Sequence, residues 1–386
     1  MIKSQIKKIL LPALGTSIVL SSLVVSQYKI VRATSGTSVH EQKVEQQNTK
    51  VVIELKQNKV AKQLDSYLKK EKFNGTVLVA KDGKVVMQKG YGLSNFNTKT
   101  HNNTDTIFRL GSVTKTFTAT AIMQLVEQGK VKLNDPINKY IPDFPSGDKI
   151  TINHLLSHTS GIPEFLSEDL FIDPVKRNRY VSQEELVELI KGLKLVSDPG
   201  TKHTYSNSNY ALLAYIIEKA SHTPWDNYVN EFIFKPLKMT RSGVDVNNPI
   251  VPNHAVGTGV LVDINNDISY AYGSGSIYST VGDLFKFDQA LLSGKLISKQ
   301  SLAKMFKPVL NGYGYAWENG KNLKLSSDWN YHSGHIPGFV SFNAVNQKHH
   351  MEVIMLSNKA PKSFDGFKEL DTFKSELTKI ADKLNH

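Results

Sequence analysis

Two groups of strand-like runs stand about 250 residues apart in this chain, and the stretch between them reads differently. Gly75-Thr-Val-Leu-Val-Ala80 and Val85-Val-Met-Gln-Lys-Gly90 lie near one end, while Gly338-Phe-Val-Ser-Phe-Asn-Ala344 and Met351-Glu-Val-Ile-Met-Leu356 lie near the other. All four are short, rich in β-branched or aromatic residues and bounded by turn formers. Between them, from about Asn134 to Leu310, Gly and Pro punctuate helices and loops, with amphipathic helices expected over Ser182–Leu193 and Ser208–Ala220. Strands from both ends must therefore share one layer, and the middle must form a mainly helical second body. The expected class is α/β of the α+β type. No fixed-period repeat is present, so a solenoid or propeller is not supported.

Finer punctuation completes this outline. Lys81-Asp-Gly83 joins the first two runs as a hairpin at a sheet edge. A short helix is expected over Val60–Lys70, and an amphipathic helix closes the chain from about Phe367 to Leu384. With 386 residues and 40% hydrophobic content the chain can bury a large core, and one catalytic unit over residues 60–386 accounts for it.

The beginning of the chain reads as an address. Lys3, Lys7 and Lys8 precede an apolar stretch from Ile9 to about Val25, followed by a small-residue site at Val31-Arg-Ala33, so residues 1–33 are expected to be a signal peptide or membrane anchor. Residues 34–59, rich in Gln, Lys, Glu, Ser and Thr, are expected to be a polar spacer. The catalytic unit is then secreted or held at the cell surface, outside the cytoplasm, as in a Gram-positive envelope. Absence of cysteine excludes disulfides, thiolate metal sites and a cysteine nucleophile. The formal charge of +12 includes five cations before residue 34 with no acid among them, so removing those five leaves +7. That surface suits an anionic cell-wall polymer or a membrane surface, and no compact motif for nucleic acid accompanies it.

Three motifs carry chemistry: Ser112-Val-Thr-Lys115, Tyr205-Ser-Asn207 and His332-Ser-Gly334, spaced by 93 and 127 residues. Ser-x-x-Lys also occurs at Ser4, Ser26, Ser66, Ser146 and Ser301. Only the copy at Ser112 opens a helical pattern, with Val113, Phe117, Ala121, Ile122, Leu125 and Val126 on one face. A helix N-terminus supplies positive potential, and residue i+3 shares a face with residue i, so the Lys115 amine can reach the Ser112 hydroxyl. A lysine acts as a base only where burial or nearby cations lower its pKa. His154 and His158, spaced i and i+4, imitate a metal-binding helix, but no third ligand is evident and helix-end packing is the expectation. Trp317 and Tyr272 are expected in the core.

Together with Phe108-Arg-Leu-Gly-Ser-Val-Thr-Lys115, His154-Leu-Leu-Ser-His-Thr-Ser-Gly161, Pro199-Gly-Thr-Lys-His-Thr-Tyr-Ser-Asn207, Gly273-Ser-Gly-Ser-Ile-Tyr-Ser-Thr280 and Gly334-His-Ile-Pro-Gly338, these motifs resemble the serine β-lactamase and penicillin-binding-protein superfamily. The resemblance is nearest to the branch holding class C β-lactamases, D-alanyl-D-alanine carboxypeptidases and related esterases, and covers roughly residues 60 to 385. It implies a β-lactamase/transpeptidase-like fold, an antiparallel sheet flanked by helices, with the active site in the cleft beside the helical subdomain. It further implies Ser112 as nucleophile, Lys115 as its activating partner and Tyr205 as the proton shuttle. Asn207, His332 and Gly334 would bind substrate, and the backbone N–H groups of Ser112 and His335 would form the oxyanion hole. No metal or organic cofactor is implied.

Many relatives carry lysine where this chain has His332, so a fixed cation is missing and strong β-lactam recognition is not expected. The expected substrate is a D-alanine-containing envelope peptide, cleaved as by a D-alanyl-D-alanine carboxypeptidase. The alternatives are an esterase acting on D-alanyl or other acyl esters, as in teichoic acid, or a penicillin-binding sensor that acylates without turnover. Oligomeric state is left open by the sequence.

Overall fold

A computed structural model describes residues 58–166, 179–245, 252–258, 267–360 and 364–385. The expected signal, its cleavage site and the spacer up to residue 57 lie outside the described residues. Residues 58 and 59, placed in the spacer by the sequence reading, already belong to the first helix, α1, over 58–70. Among the described residues no helix is long and apolar enough to cross a membrane.

The hairpin forms as expected: β1 (Gly75–Lys81) turns at Asp82-Gly83 into β2 (Lys84–Tyr91). Both turn residues take the left-handed conformation, which Gly and Asp tolerate best. A small hairpin, β3 (Leu93–Asn95) with β4 (Thr100–His101), follows, and then β5 (Phe108–Arg109) leads to the first motif. The long buried helix α2 (Thr114–Glu127) is next. The sequence pattern gave α2 one apolar face; instead residues 114–123 are buried on every side, because neighbours enclose the helix completely.

The middle holds α3 (Ile152–Leu156), α4 (Gln183–Lys191) and α5 (Asn207–Ser221), the last two close to their expected positions. Ser182 caps α4 by accepting the Glu185 N–H. This body is not purely helical. β6 (Gly243–Val244) and β7 (Ile277–Ser279) join β5 in a three-stranded antiparallel sheet whose pieces are too short to show a period in sequence.

After β7, α6 (Val281–Ser293) and α7 (Lys299–Phe306) lead into β8 (Glu318–Asn319), β9 (Trp329–Ile336), β10 (Phe339–Asn346) and β11 (Met351–Ser357). The main sheet has the order β2-β1-β11-β10-β9-β8, so strands from the two ends of the chain meet where β1 pairs with β11, Val77 opposite Met355. The closing helix α8 covers Phe364–Asp382.

Both sheet faces are buried. Val77 and Val79 share one core with Leu64 and Leu68 of α1, Phe342 of β10 and Leu377 of α8. Leu78 and Ala80 face the other way, into the larger core with Phe117 of α2 and Phe287 of α6. Alternation along one strand thus feeds two cores. The terminal helices are tied together by Phe373 of α8, which stacks on Tyr67 and on Phe73 at ring separations of 5.3 and 5.6 Å.

Candidate active site

Ser112 sits in a single 3-10 turn, Gly111–Val113, that runs directly into α2. The turn is clamped on two sides. Leu110 N–H donates to the Ile277 carbonyl of β7 (2.8 Å), Ile277 N–H donates to Thr114 Oγ1 (3.0 Å), and Ser341 Oγ of β10 donates to the Leu110 carbonyl.

Two glycines allow this approach. Gly111 has φ +52°, and a Cβ there would stand 2.8 Å from the backbone of His335. A Cβ on Gly334 would fall 1.9 Å from the Leu110 carbonyl oxygen and 3.0 Å from the Ser112 nitrogen. The turn that carries Ser112 and β9 therefore touch backbone to backbone. The peptides carrying the N–H groups of Ser112 and His335, expected as the oxyanion hole, are brought side by side. β8 pairs with β9 only at Asn330 and Tyr331, which leaves the β9 edge beyond Tyr331 facing the cleft rather than another strand.

Lys115 is completely buried. Its Nζ lies 3.0 Å from Ser112 Oγ, 2.7 Å from Asn207 Oδ1 and 2.9 Å from the Ser274 carbonyl oxygen. Burial pushes the amine down to about 7, against a smaller upward pull from the Glu164 carboxylate. A neutral amine has two N–H donors and one lone pair. Asn207 Oδ1 and the Ser274 carbonyl can only accept, so they take the two donors and the lone pair is left for the Ser112 hydroxyl. The geometry suits a base that removes the serine proton.

Asn207 opens α5, and its two nitrogens, backbone N and Nδ2, each donate to Glu164 Oε2 at 2.9 Å. Glu164 was not singled out from the sequence; a glutamate after Ile162-Pro163 carries no motif of its own.

Tyr205 arrives from the loop before α5. Its ring centroid is 4.9 Å from Lys115 Nζ and 4.3 Å from the buried His158 ring. Burial raises its pKa, with a smaller opposing interaction from the Ser112 hydroxyl, so the phenol stays protonated near neutral pH. The residue is still 39% exposed, because its other side opens on the cleft; water there moderates the shift without reversing it.

His332 lies on β9, only 2% exposed. Its Nδ1 is 2.7 Å from the Ser333 carbonyl oxygen, which can only accept, so Nδ1 carries the proton and Nε2 accepts from the Tyr313 hydroxyl at 3.0 Å. Burial, helped by Lys115, lowers its pKa to about 3. The imidazole is neutral, and its Nε2 is bonded to Tyr313. Tyr313 was passed over in the sequence because it belongs to an aromatic run that includes Trp317, which is core, as is Tyr272.

The cleft holds about 390 Å³ and is lined by Ser112, Tyr205, His332, Ser333, His335 and residues of β8, β9 and α8. His335, whose backbone faces Gly111, turns its side chain outward. His154 belongs to the capping box at the start of α3, and His158 accepts at Nδ1 from Asn209 and from Ser206 N–H, so both pack as expected. Among the described residues no cluster of His, Cys, Asp and Glu suits a metal ion.

Residues 60–372 match the β-lactamase family. The chain belongs to that family. As a β-lactamase-family protein it is a serine hydrolase with the β-lactamase/transpeptidase-like fold. A penicillin-binding protein of Bacillus subtilis is 33% identical over 322 residues, covering 75% of this chain and 69% of that one. The teichoic acid D-alanine hydrolase of Staphylococcus aureus is 30% identical over 259 residues, covering 66% of this chain and 62% of the relative. The crystal structure of FmtA from Staphylococcus aureus superposes with a TM-score of 0.68 at 26% identity, over 83% of this chain and 89% of FmtA.

Proposed function

We propose that this hydrolase works outside the cytoplasm through an acyl-enzyme on Ser112, attacking the carbonyl of a D-alanyl group in the bacterial envelope. The observation that carries the reading is the buried Lys115 amine, 3.0 Å from Ser112 Oγ, with both other acceptors fixed around it. Lys115 takes the serine proton as Oγ bonds to the carbonyl carbon. The oxyanion is held by the backbone N–H groups of Ser112 and His335. On collapse the leaving atom takes a proton relayed through the Tyr205 hydroxyl, and water then cleaves the ester by the same path in reverse. Asn207 contributes its remaining amide hydrogen to the acyl side.

The first substrate is the D-alanyl-D-alanine end of a cell-wall peptide, in keeping with the penicillin-binding relative. A D-alanyl ester of teichoic acid is the second, favoured by the neutral His332 and by the 30% identical hydrolase. The test follows D-alanine release from a D-alanyl-D-alanine peptide and from a D-alanyl polyol ester, beside intact-mass detection of a penicillin adduct. Release from either substrate, lost in Ser112→Ala, is expected. Release that persists in Ser112→Ala, or none from either substrate, would overturn the reading.

A further inference from the structure

His158 follows α3 with φ +55° and no exposed surface, yet it reaches the chain on both sides of Tyr205. Before the tyrosine, Thr204 N–H donates to the His158 carbonyl oxygen at 2.8 Å. After it, Ser206 N–H donates to His158 Nδ1 at 3.3 Å. The imidazole itself lies against the phenol, with ring centroids 4.3 Å apart at an interplanar angle of 38°. A left-handed backbone is uncommon for a residue with a Cβ. Here the carbonyl and the ring of one such residue both meet the Tyr205 loop.

The imidazole is fixed from behind. Ser160 Oγ accepts from Ile162 N–H at 3.0 Å, so its hydrogen goes to Asn209 Oδ1 at 2.6 Å. That turns the Asn209 amide so that Nδ2 donates to His158 Nδ1 at 3.0 Å. Nδ1 is therefore an acceptor and Nε2 carries the hydrogen. Burial, helped by Lys115, keeps the ring neutral. Among the described residues Nε2 has no hydrogen-bond partner, and the Tyr313 and Tyr210 rings stand around it with centroids at 4.9 and 5.1 Å. A ring that relayed a proton would need a partner there, so this one serves by its shape. Tyr205 has need of such a wall, because its other side opens on the cleft and the Tyr313 and His332 rings lie farther from it, at 6.2 and 6.4 Å.

We propose that His158 is a positioning residue for the Tyr205 hydroxyl: it ties the loop on both sides of the tyrosine, and its ring sets the plane in which the phenol meets the leaving group. The inference rests on the Tyr205 relay proposed above. In that relay the bond from carbon to the leaving oxygen breaks as the oxygen takes the phenol proton, and the phenolate recovers a proton from the Lys115 ammonium. A leaving group that is stable as an anion departs without this proton and is indifferent to where the hydroxyl points.

The test compares kcat/KM of the full chain for the methyl and p-nitrophenyl esters of N-acetyl-D-alanine, which share an acyl group and differ in their need for that proton. His158→Asn keeps an acceptor near Nδ1 and tolerates the left-handed backbone, but removes the ring. It is expected to lower kcat/KM about 30-fold for the methyl ester and less than about 3-fold for the p-nitrophenyl ester. Tyr205→Phe is expected to lose the methyl ester selectively, and adding His158→Asn to it should cost nothing more. Equal losses on both esters, no loss on either, or a full loss added to that of Tyr205→Phe would overturn the proposal, since His158 would then support the fold alone. If His158→Asn does not fold, Asn209→Ser takes its place: with Nδ1 released the ring can turn, a selective loss of about 5-fold is expected, and an equal loss or none overturns the proposal. Tyr205→Phe without selective loss would overturn the relay, and this inference with it, whatever His158 does. No turnover of either ester by the unaltered chain would overturn the Ser112 reading and everything that rests on it.

Discussion

Glu164 fixes Asn207 through a single oxygen: Oε2 accepts from both the backbone nitrogen and Nδ2 of Asn207, at 2.9 Å each. With Nδ2 held there, Oδ1 is turned toward Lys115 Nζ at 2.7 Å. One carboxylate therefore sets the start of α5, the rotamer of Asn207 and one of the acceptors around the Lys115 amine.

Glu164→Gln should lower kcat/KM about 10-fold while shifting the melting temperature little, since an amide oxygen that keeps both Asn207 bonds leaves its NH₂ facing the Leu166 N–H, which donates to Glu164 Oε1 at 3.0 Å. Steady-state kinetics beside a thermal melt checks this. An unchanged kcat/KM would mean that Asn207 is held by α5 alone.

The proposed base role of Lys115 predicts a pH dependence of acylation. An amine with a pKa of about 7 is a base only after losing its proton, so kcat/KM for an uncharged ester should rise with pH and level off above about 7. Lys115→Arg, charged at every accessible pH, should lose on the order of 10³-fold rather than rescue function. A flat pH profile in the unaltered enzyme would remove Lys115 from the base role.

Gly334→Ala should damage stability and chemistry together. Its Cβ would lie 1.9 Å from the Leu110 carbonyl oxygen, with backbone on that side and none of the give of a flexible side chain. A loss of about 3 kcal/mol, as for overpacked cores, and loss of the Ser112 adduct are expected by denaturant titration and mass spectrometry.

Glu352 gives the fold an alkaline weakness. It lies on β11, 1% exposed and bonded to Gln289 of α6, and burial raises its carboxyl from 4.5 to about 7. The folded state therefore holds a proton that the unfolded chain releases, so this residue lowers stability progressively as pH rises from about 4.5 to 7 and by a constant amount above. Glu352→Gln should be more stable than the parent at pH 8, by on the order of 3 kcal/mol, and equal to it near pH 4. Paired melts at the two pH values would show it; equal differences at both would refute it.

Much of this was legible in the sequence, for identifiable reasons. β1 and β11 announce themselves because, Lys81 and Glu352 apart, their residues are apolar or small, and Ser182 and the left-handed Gly83 mark boundaries through local chemistry. Ser112, Lys115, Tyr205, Asn207 and His332 converge as their motifs implied. Glu164 and Tyr313 were missed because their meaning lies in what they touch: a loop glutamate and a tyrosine in an aromatic run have no local signature. The short strands β5, β6 and β7 were missed because two or three residues cannot show a period.

The pairing of β1 with β11 also sets an order of events. A strand beginning at Gly75 waits for a partner that ends at Ser357, so the central sheet cannot close while the chain is still emerging. Closing so long a loop is costly and comes late, which leaves the central sheet open until β11 has been made. The seam that holds the finished enzyme together is therefore also what delays its finishing.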